Sequence, residues 1–95
     1  MTLDELHDRR AEIQRIAAKH GVSSIRVFGS VARGDSRPDS DVDFLIEAGS
    51  STSSWFPAGL ILDLEEVLGR RVDVVEQRAL NPLLRNSVMQ DAVAL

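Results

Sequence analysis

Glycine residues divide the sequence into short segments whose apolar spacing alternates between the periods of a helix and a strand. We predict a first helix from about Leu3 to His20, with Thr2 as its N-cap and Gly21 as its stop. Strands are predicted at Ser23–Phe28, Asp41–Ala48 and Arg70–Glu76, and two further helices at Pro57–Leu68 and from Pro82 to about Val93. This order predicts a single α+β domain over residues 1–95, with a small mixed β-sheet flanked by helices.

The composition excludes several classes of protein. The chain has no cysteine, which excludes a disulfide scaffold, a thiolate zinc site and cysteine catalysis. No apolar run approaches the ~20 residues of a membrane span, and the polar N-terminal segment does not resemble a secretory signal. A net charge of −4 disfavours direct binding to nucleic acid. We therefore expect a cytoplasmic protein with no membrane or nucleic-acid partner.

Two aspartates, Asp41 and Asp43, begin the second predicted strand. Side chains two residues apart on a strand project from the same face, with α-carbons ~6–7 Å apart. At ~4 Å, two carboxylates repel by about 4 kcal/mol at an effective dielectric of 20, whereas magnesium ions bound between them reverse the sign. An Asp-x-Asp pair alone is also compatible with an ordinary solvent-facing strand.

The polar segment 29–40 before this strand is predicted as a loop with one helical turn around Ser30–Arg33. It starts with Gly29 and Ser30 directly after a strand, where glycine lets the backbone approach a phosphate and serine adds a hydroxyl and an amide donor. Arg33, one turn further on, is a candidate donor to phosphate oxygens. Such residues also form ordinary turns. Their place beside the Asp-x-Asp strand favours a combined phosphate and metal site.

A third aspartate, Asp73, lies within the apolar run Val72–Val75, and we predict that its side chain is buried. A buried charge needs a compensating partner. That partner is either a metal ion shared with the Asp-x-Asp pair or an arginine, Arg70 or Arg71, in a structural ion pair.

The motifs do not include the adjacent aromatic residues Trp55 and Phe56 or the two histidines. Trp55 and Phe56 either contact an adenine or a partner surface, or pack onto the first turn of the helix that follows them. His7 and His20 lie on the first predicted helix, and His20 is interpreted as a helix-end residue favoured by the helix dipole. Neither histidine is assigned a catalytic role.

The segments GSVARGD and SDVDFLI resemble the signature of the polymerase-β-type nucleotidyltransferase superfamily, and the short length points to its minimal branch, the MntA-like antitoxins. The resemblance implies that fold, with ATP as substrate. It implies that nucleotide phosphates are held by Gly29, Ser30 and Arg33, and that two magnesium ions are bound by Asp41, Asp43 and Asp73. Relatives usually lie beside a HEPN-domain ribonuclease toxin, and the best understood transfer AMP to a tyrosine of that toxin. The segment GSSTSSWFPAG departs from the glycine- and aspartate-rich form of the family.

We therefore expect a magnesium-dependent enzyme that adenylylates a partner protein, with a HEPN toxin as the expected partner. The chain contains no tyrosine, so a tyrosine acceptor has to be supplied by another molecule. Two alternatives remain open at this point. One is a transferase that acts on a small molecule, and the other is a non-catalytic antitoxin that neutralises its partner by occlusion.

Overall fold

The computed structural model describes every residue from Met1 to Leu95. In chain order its elements are α1 (Leu3–Asp8), α2 (Arg10–Lys19), β1 (Val22–Phe28), α3 (Gly29–Arg33), β2 (Val42–Ala48), α4 (Ala58–Leu68), β3 (Val72–Glu76), a 3-10 turn (Gln77–Ala79), α5 (Pro82–Asp91) and β4 (Val93–Ala94). None of the helices combines the length and the apolar character that crossing a membrane requires.

The four strands form one sheet in the order β3-β2-β1-β4. Strand β1 is antiparallel to both β2 and β4, whereas β2 and β3 are parallel. A parallel pair cannot be closed by a hairpin, and α4 supplies the crossover between β2 and β3. The small mixed sheet with flanking helices confirms the predicted α+β fold.

Alternation along the strands gives the sheet two different faces. One face, here called the core face, packs against α2 and α4, and its fully buried side chains include Val42, Phe44, Ile46, Leu60 and Leu64. The opposite face, here called the open face, carries Arg26 and Phe28 from β1, Asp43 and Leu45 from β2, and Asp73 from β3. Helix α5 crosses the open face above β1, where Met89 contacts Arg26. The chemistry-bearing side chains therefore lie on the face that the hydrophobic core does not use.

Two of the predicted helices differ from the observed ones. The predicted helix over residues 3–20 is interrupted at Arg9, whose backbone (φ −106°, ψ 10°) ends α1 and begins α2. The Arg9 guanidinium donates to the Val67 carbonyl at the end of α4, a contact between distant segments that no local pattern indicates. The last helix ends at Asp91 and not near Val93, because Val93 and Ala94 pair with β1 as the unpredicted strand β4.

The loop that contains Trp55 lies at the end of the sheet away from Gly29. Ala48, which precedes this loop, pairs with Val22 at the start of β1, and Gly29 follows the far end of that strand, ~20 Å away by strand rise. The distance from the predicted phosphate turn disfavours the interpretation of Trp55 and Phe56 as adenine contacts, and contact with a partner surface stays a prediction. Phe56 packs against the core as the helix-start interpretation expects, while Trp55 is 86% exposed.

His20 caps the end of α2, as predicted, and is also part of a buried hydrogen-bond network. Its side chain is 6% exposed, with Nδ1 2.6 Å from Ser53 Oγ and Nε2 2.7 Å from Asp63 Oδ2. The bond from His20, together with one from Lys19, lowers the pKa of Asp63. The network ties α2 to α4 and to the loop at residues 49–57, far from the glycine-serine turn.

Candidate functional site

The two sequence motifs meet where β1 ends, because Gly29 lies directly against Asp43. Phe28 and Asp43 are paired residues of β1 and β2, so the start of α3 lies beside the first carboxylate of β2. Gly29 has a φ of +73°, and a Cβ atom built on it would lie 2.4 Å from Asp43 Oδ2. Glycine alone adopts this φ without strain and, having no Cβ atom, leaves the Asp43 carboxylate in place.

Asp43 and Asp73 form a second pair, this time across the parallel strands β2 and β3. Both side chains project from the open face, Asp43 half-buried and Asp73 exposed. Burial raises the pKa of the Asp43 carboxyl, and the charges of Asp73 and Asp41 raise it further, while Arg33 opposes the shift. A carboxylate in this position is short of positive charge.

Asp73 is exposed, so the prediction that its side chain is buried is wrong. Strand β3 is an edge strand, and the residue points away from the core that its neighbour Val72 joins. The alternative ion pair with an arginine is also absent. Arg70 donates to the Pro38 carbonyl, and Arg71 pairs with Asp41 instead.

Asp41 lies just before β2, and its carboxylate is held by Arg71. The contact joins Asp41 Oδ1 to Arg71 Nε at 3.3 Å, and both side chains are well exposed. No three carboxylate or imidazole side chains are gathered into a ready-made metal-binding group in this structure. The guanidinium of Arg71 supplies positive charge to the aspartate that the Asp-x-Asp pattern assigns to a metal ion.

The donor set nevertheless fits a hard divalent cation. Asp43 and Asp73 present oxygen ligands from paired positions on one face, which is the ligand chemistry that magnesium prefers. The raised pKa of Asp43 has like-charge repulsion among its causes, and a bound cation would relieve that repulsion. Asp41 contacts Arg71 through Oδ1 and is exposed.

Ser30 lies in the first turn of α3, and its hydroxyl bonds to no other protein group. Arg33, at the end of the same helix, donates from Nη1 to Asp91 Oδ2 at 2.7 Å and from Nε to Asp35 Oδ2 at 3.4 Å. The bond to Asp91 is the main cause of the raised pKa of Arg33. Arg33 is therefore near the glycine-serine turn but is engaged with α5.

Arg26 is the residue of the open face that sequence reasoning did not single out. It lies two residues before Phe28 on β1, and its paired residue on β2 is Leu45, two residues after Asp43. Alternate residues of a strand project from one face, so counting back two residues from the end of β1 places Arg26 on the face of the carboxylates.

Comparisons with known protein sequences agree over almost the whole chain. A model of the nucleotidyltransferase domain family matches residues 10–95. A Methanocaldococcus jannaschii protein assigned as a protein adenylyltransferase is 38% identical over 88 residues, which are 93% of this chain and 95% of that protein. The protein adenylyltransferase MntA of Thermococcus cleftensis is 34% identical over 94 residues, 98% of this chain and 95% of that protein.

Solved structures give the same result. A structure assigned as a minimal nucleotidyltransferase is 44% identical and superposes with a TM-score of 0.86, covering 100% of this chain and 97% of that one. A toxin–antitoxin crystal structure with AMP-PNP superposes with a TM-score of 0.74 at 22% identity, covering 88% of this chain and 69% of that one. For this second structure the sequence identity is low, so the likeness shows a shared fold.

Proposed function

Because the chain belongs to the nucleotidyltransferase domain family, as an enzyme of the minimal nucleotidyltransferase type, we propose that it transfers AMP from ATP to a hydroxyl group of a partner protein. The observation that carries the proposal is the contact between Gly29 and Asp43. It brings a turn suited to phosphates against a carboxylate that lacks positive charge, and Asp73 lies beside that carboxylate on the next strand.

In this proposal the site residues divide into those that bind phosphates and those that hold magnesium. The backbone and hydroxyl of Gly29 and Ser30 bind the phosphates of ATP, since exposed amides at a strand-to-helix turn favour anions. Magnesium is held by Asp41, Asp43 and Asp73. When bound, it supplies positive charge that offsets the charge of the phosphates.

The transfer step forms one bond and breaks one. The acceptor hydroxyl oxygen attacks the α-phosphorus of ATP, the bond to the β-phosphate oxygen breaks, and pyrophosphate leaves. Asp73 is exposed on the open face, beside Asp43, and it favours loss of the hydroxyl proton to its own oxygen or to solvent. Arg33 neutralises phosphate charge if its guanidinium exchanges Asp91 for the nucleotide.

We propose a HEPN-type toxin as the acceptor, modified in the cytoplasm on a tyrosine. The relatives in Methanocaldococcus and Thermococcus carry the name protein adenylyltransferase, and structural neighbours include MntA–HepT toxin–antitoxin complexes. This chain has no tyrosine of its own, which supports an acceptor on another molecule.

The test is to incubate the chain with ATP, magnesium and the protein encoded by the neighbouring reading frame, and to measure the intact mass of both. We expect the partner to gain the mass of AMP and lose its toxicity, and we expect a chelator to prevent both. Asp43→Asn should abolish the transfer. Asp39→Asn, which removes an exposed carboxylate from the loop before β2, should not.

Two results would contradict the proposal in different ways. If the partner is inhibited by wild-type protein with no gain of mass, the chain acts by occlusion. If this chain itself gains AMP stoichiometrically in the absence of the partner, the acceptor is one of its own serine or threonine hydroxyls.

A further inference from the structure

Arg26 is a half-buried cation in the middle of the open face, and no carboxylate neutralises it. Its paired residue on β2 is Leu45, which is two residues after Asp43. Arg26 and Asp43 therefore project from the same face, at neighbouring positions along the sheet. Arg33 and Arg71, the other two arginines beside the site, each form an ion pair, whereas Arg26 forms none. A partly buried charge without a counter-ion costs free energy, and such a cost is commonly retained where a ligand supplies the counter-ion.

The guanidinium of Arg26 keeps part of its hydrogen-bonding capacity free. Nη2 donates to Gln77 Oε1 at 2.8 Å and lies 3.9 Å from Met89 Sδ, and both partners are neutral. Nε and Nη1 have no protein partner. Because no buried side-chain nitrogen or oxygen in the molecule lacks a partner, these two atoms are accessible to solvent. They lie on different edges of the guanidinium, and each can donate one charge-assisted hydrogen bond to a carboxylate or phosphate oxygen.

The direction of the side chain separates it from the phosphate-binding turn. Gln77 follows the end of β3, where Glu76 pairs with Ile46, so the Arg26–Gln77 bond crosses β2 toward the end of the sheet away from α3. Arg26 itself lies two residues, or ~6–7 Å of strand, before Phe28. The charged groups that act on Asp43 are Asp73, Asp41 and Arg33, and Arg26 is not among them.

We propose that Arg26 binds an anionic group of the acceptor protein, close to the hydroxyl that receives AMP. This inference rests on the proposed transfer to a protein, and it names a specificity determinant for that acceptor. The acceptor has to approach over the open face, because the core face is filled by α2 and α4. On that route it meets the free donors of Arg26, whose side chain lies on the side of the Asp43–Asp73 pair that faces away from α3.

The test uses the full chain and the toxin of the neighbouring reading frame, with three variants. Arg26→Gln removes the charge, Arg26→Lys keeps the charge but loses the guanidinium donors, and Arg15→Gln removes an exposed charge of α2, away from the open face. Steady-state transfer gives KM for the toxin and kcat, a nucleotide titration gives the Kd of ATP, and a toxin titration without ATP gives the affinity of the complex. A thermal melt reports folding.

For Arg26→Gln we expect KM for the toxin to rise about tenfold or more, the size of effect typical for a charge-assisted hydrogen bond. We expect kcat and the Kd of ATP to change less than threefold, and Arg26→Lys to recover part of the loss. Toxin affinity without ATP should fall in parallel, while Arg15→Gln should match wild type.

The inference is overturned if the KM and affinity for the toxin are unchanged in Arg26→Gln, or if only the Kd of ATP rises. The affinity measurement stands even if the wild-type chain transfers no AMP, in which case the proposed function fails and the role of Arg26 is still decided. If the variant melts well below wild type, Arg26→Lys and the toxin titration below its melting temperature separate lost binding from lost fold.

Discussion

The contact between Gly29 and Asp43 makes two short motifs into one unit. Each motif alone is common, and a glycine-serine turn or an alternating pair of aspartates often has no role beyond local structure. In this chain the carboxylate oxygen occupies the space that any other residue at position 29 would need for its Cβ atom. The identity of residue 29 therefore controls the position of Asp43.

We expect Gly29→Ala to reduce AMP transfer by about 100-fold or more, because a displacement of ~1 Å at a reacting centre has that effect. Gly34→Ala is the matched control, since Gly34 also has a positive φ (+82°) but has no atom within 4 Å of the place where a Cβ would lie. Both variants should lose about 1–2 kcal/mol of stability to backbone strain. Urea unfolding and single-turnover transfer on both proteins separate the two effects, and equal activities would contradict the coupling.

The pH dependence of stability should reveal the charge on Asp43. The pKa of Asp43 is raised in the folded state, so its carboxyl contributes most favourably to the free energy of unfolding below the unfolded-state pKa. That contribution is lost as pH rises through the folded-state pKa. Asp43→Asn should therefore melt higher than wild type at neutral pH without divalent cations. The difference should shrink as pH falls through the pKa of Asp43. A lower melting temperature of the variant than of wild type at pH 7 would contradict the prediction that the ionised carboxylate of Asp43 destabilises the fold.

At the scale of elements, local patterns predict what depends on local chemistry and miss what depends on distant contacts. The core strands, the crossover helix α4 and the glycine-serine turn follow from periodicity and from stop residues. The interruption at Arg9 depends on the end of α4, and β4 is two residues long and exists through its pairing with β1. The apolar neighbours of Asp73 predict a buried side chain, although an edge strand leaves one face open.

The end of α2 provides an element-scale prediction. His20→Ala removes the two side-chain bonds of His20, to Asp63 of α4 and to Ser53 of the loop at 49–57, and we expect a loss of about 1–3 kcal/mol. For a domain of this size that lowers Tm by about 5–20 °C. Below the new Tm, transfer should be unchanged because the network lies at the other end of the sheet.

Lys19→Ala is the control for this network, since it removes the second donor to Asp63 from the exposed side. It should leave Tm close to that of wild type because exposed ion pairs contribute little. A loss of transfer in His20→Ala at a temperature where the protein is folded would connect the network to the site.

At the scale of the whole molecule, the sheet separates stability from chemistry. The core face holds the cluster of buried aliphatic side chains, and the open face holds the carboxylates and Arg26. Helix α5 has no buried residue and crosses the open face above β1. Substitutions on the two faces should therefore have different consequences.

Two leucine substitutions test this separation. Leu64→Ala empties a fully buried position and should cost about 2–5 kcal/mol, a large part of the total stability of a small domain. Leu83→Ala changes a side chain on α5 that is 89% exposed and should alter stability by less than about 0.5 kcal/mol. Urea unfolding measures both losses as shifts of the midpoint, provided that the dependence of the unfolding free energy on urea is unchanged. A comparable loss in Leu83→Ala would show that the Leu83 side chain packs against another part of the protein.

The pairing of Asp43 with Asp73 has a consequence for misfolding. A shift of β3 by one residue along β2 would turn Asp73 toward the aliphatic side chains and set a valine opposite Asp43. The valines around Asp73 suit either side of the sheet, so their hydrophobicity hardly discriminates against the shifted pairing. The free-energy cost of burying the Asp73 carboxylate does disfavour the shifted pairing. The charge of Asp73 therefore also helps to set the register of β3, whatever its part in the proposed reaction.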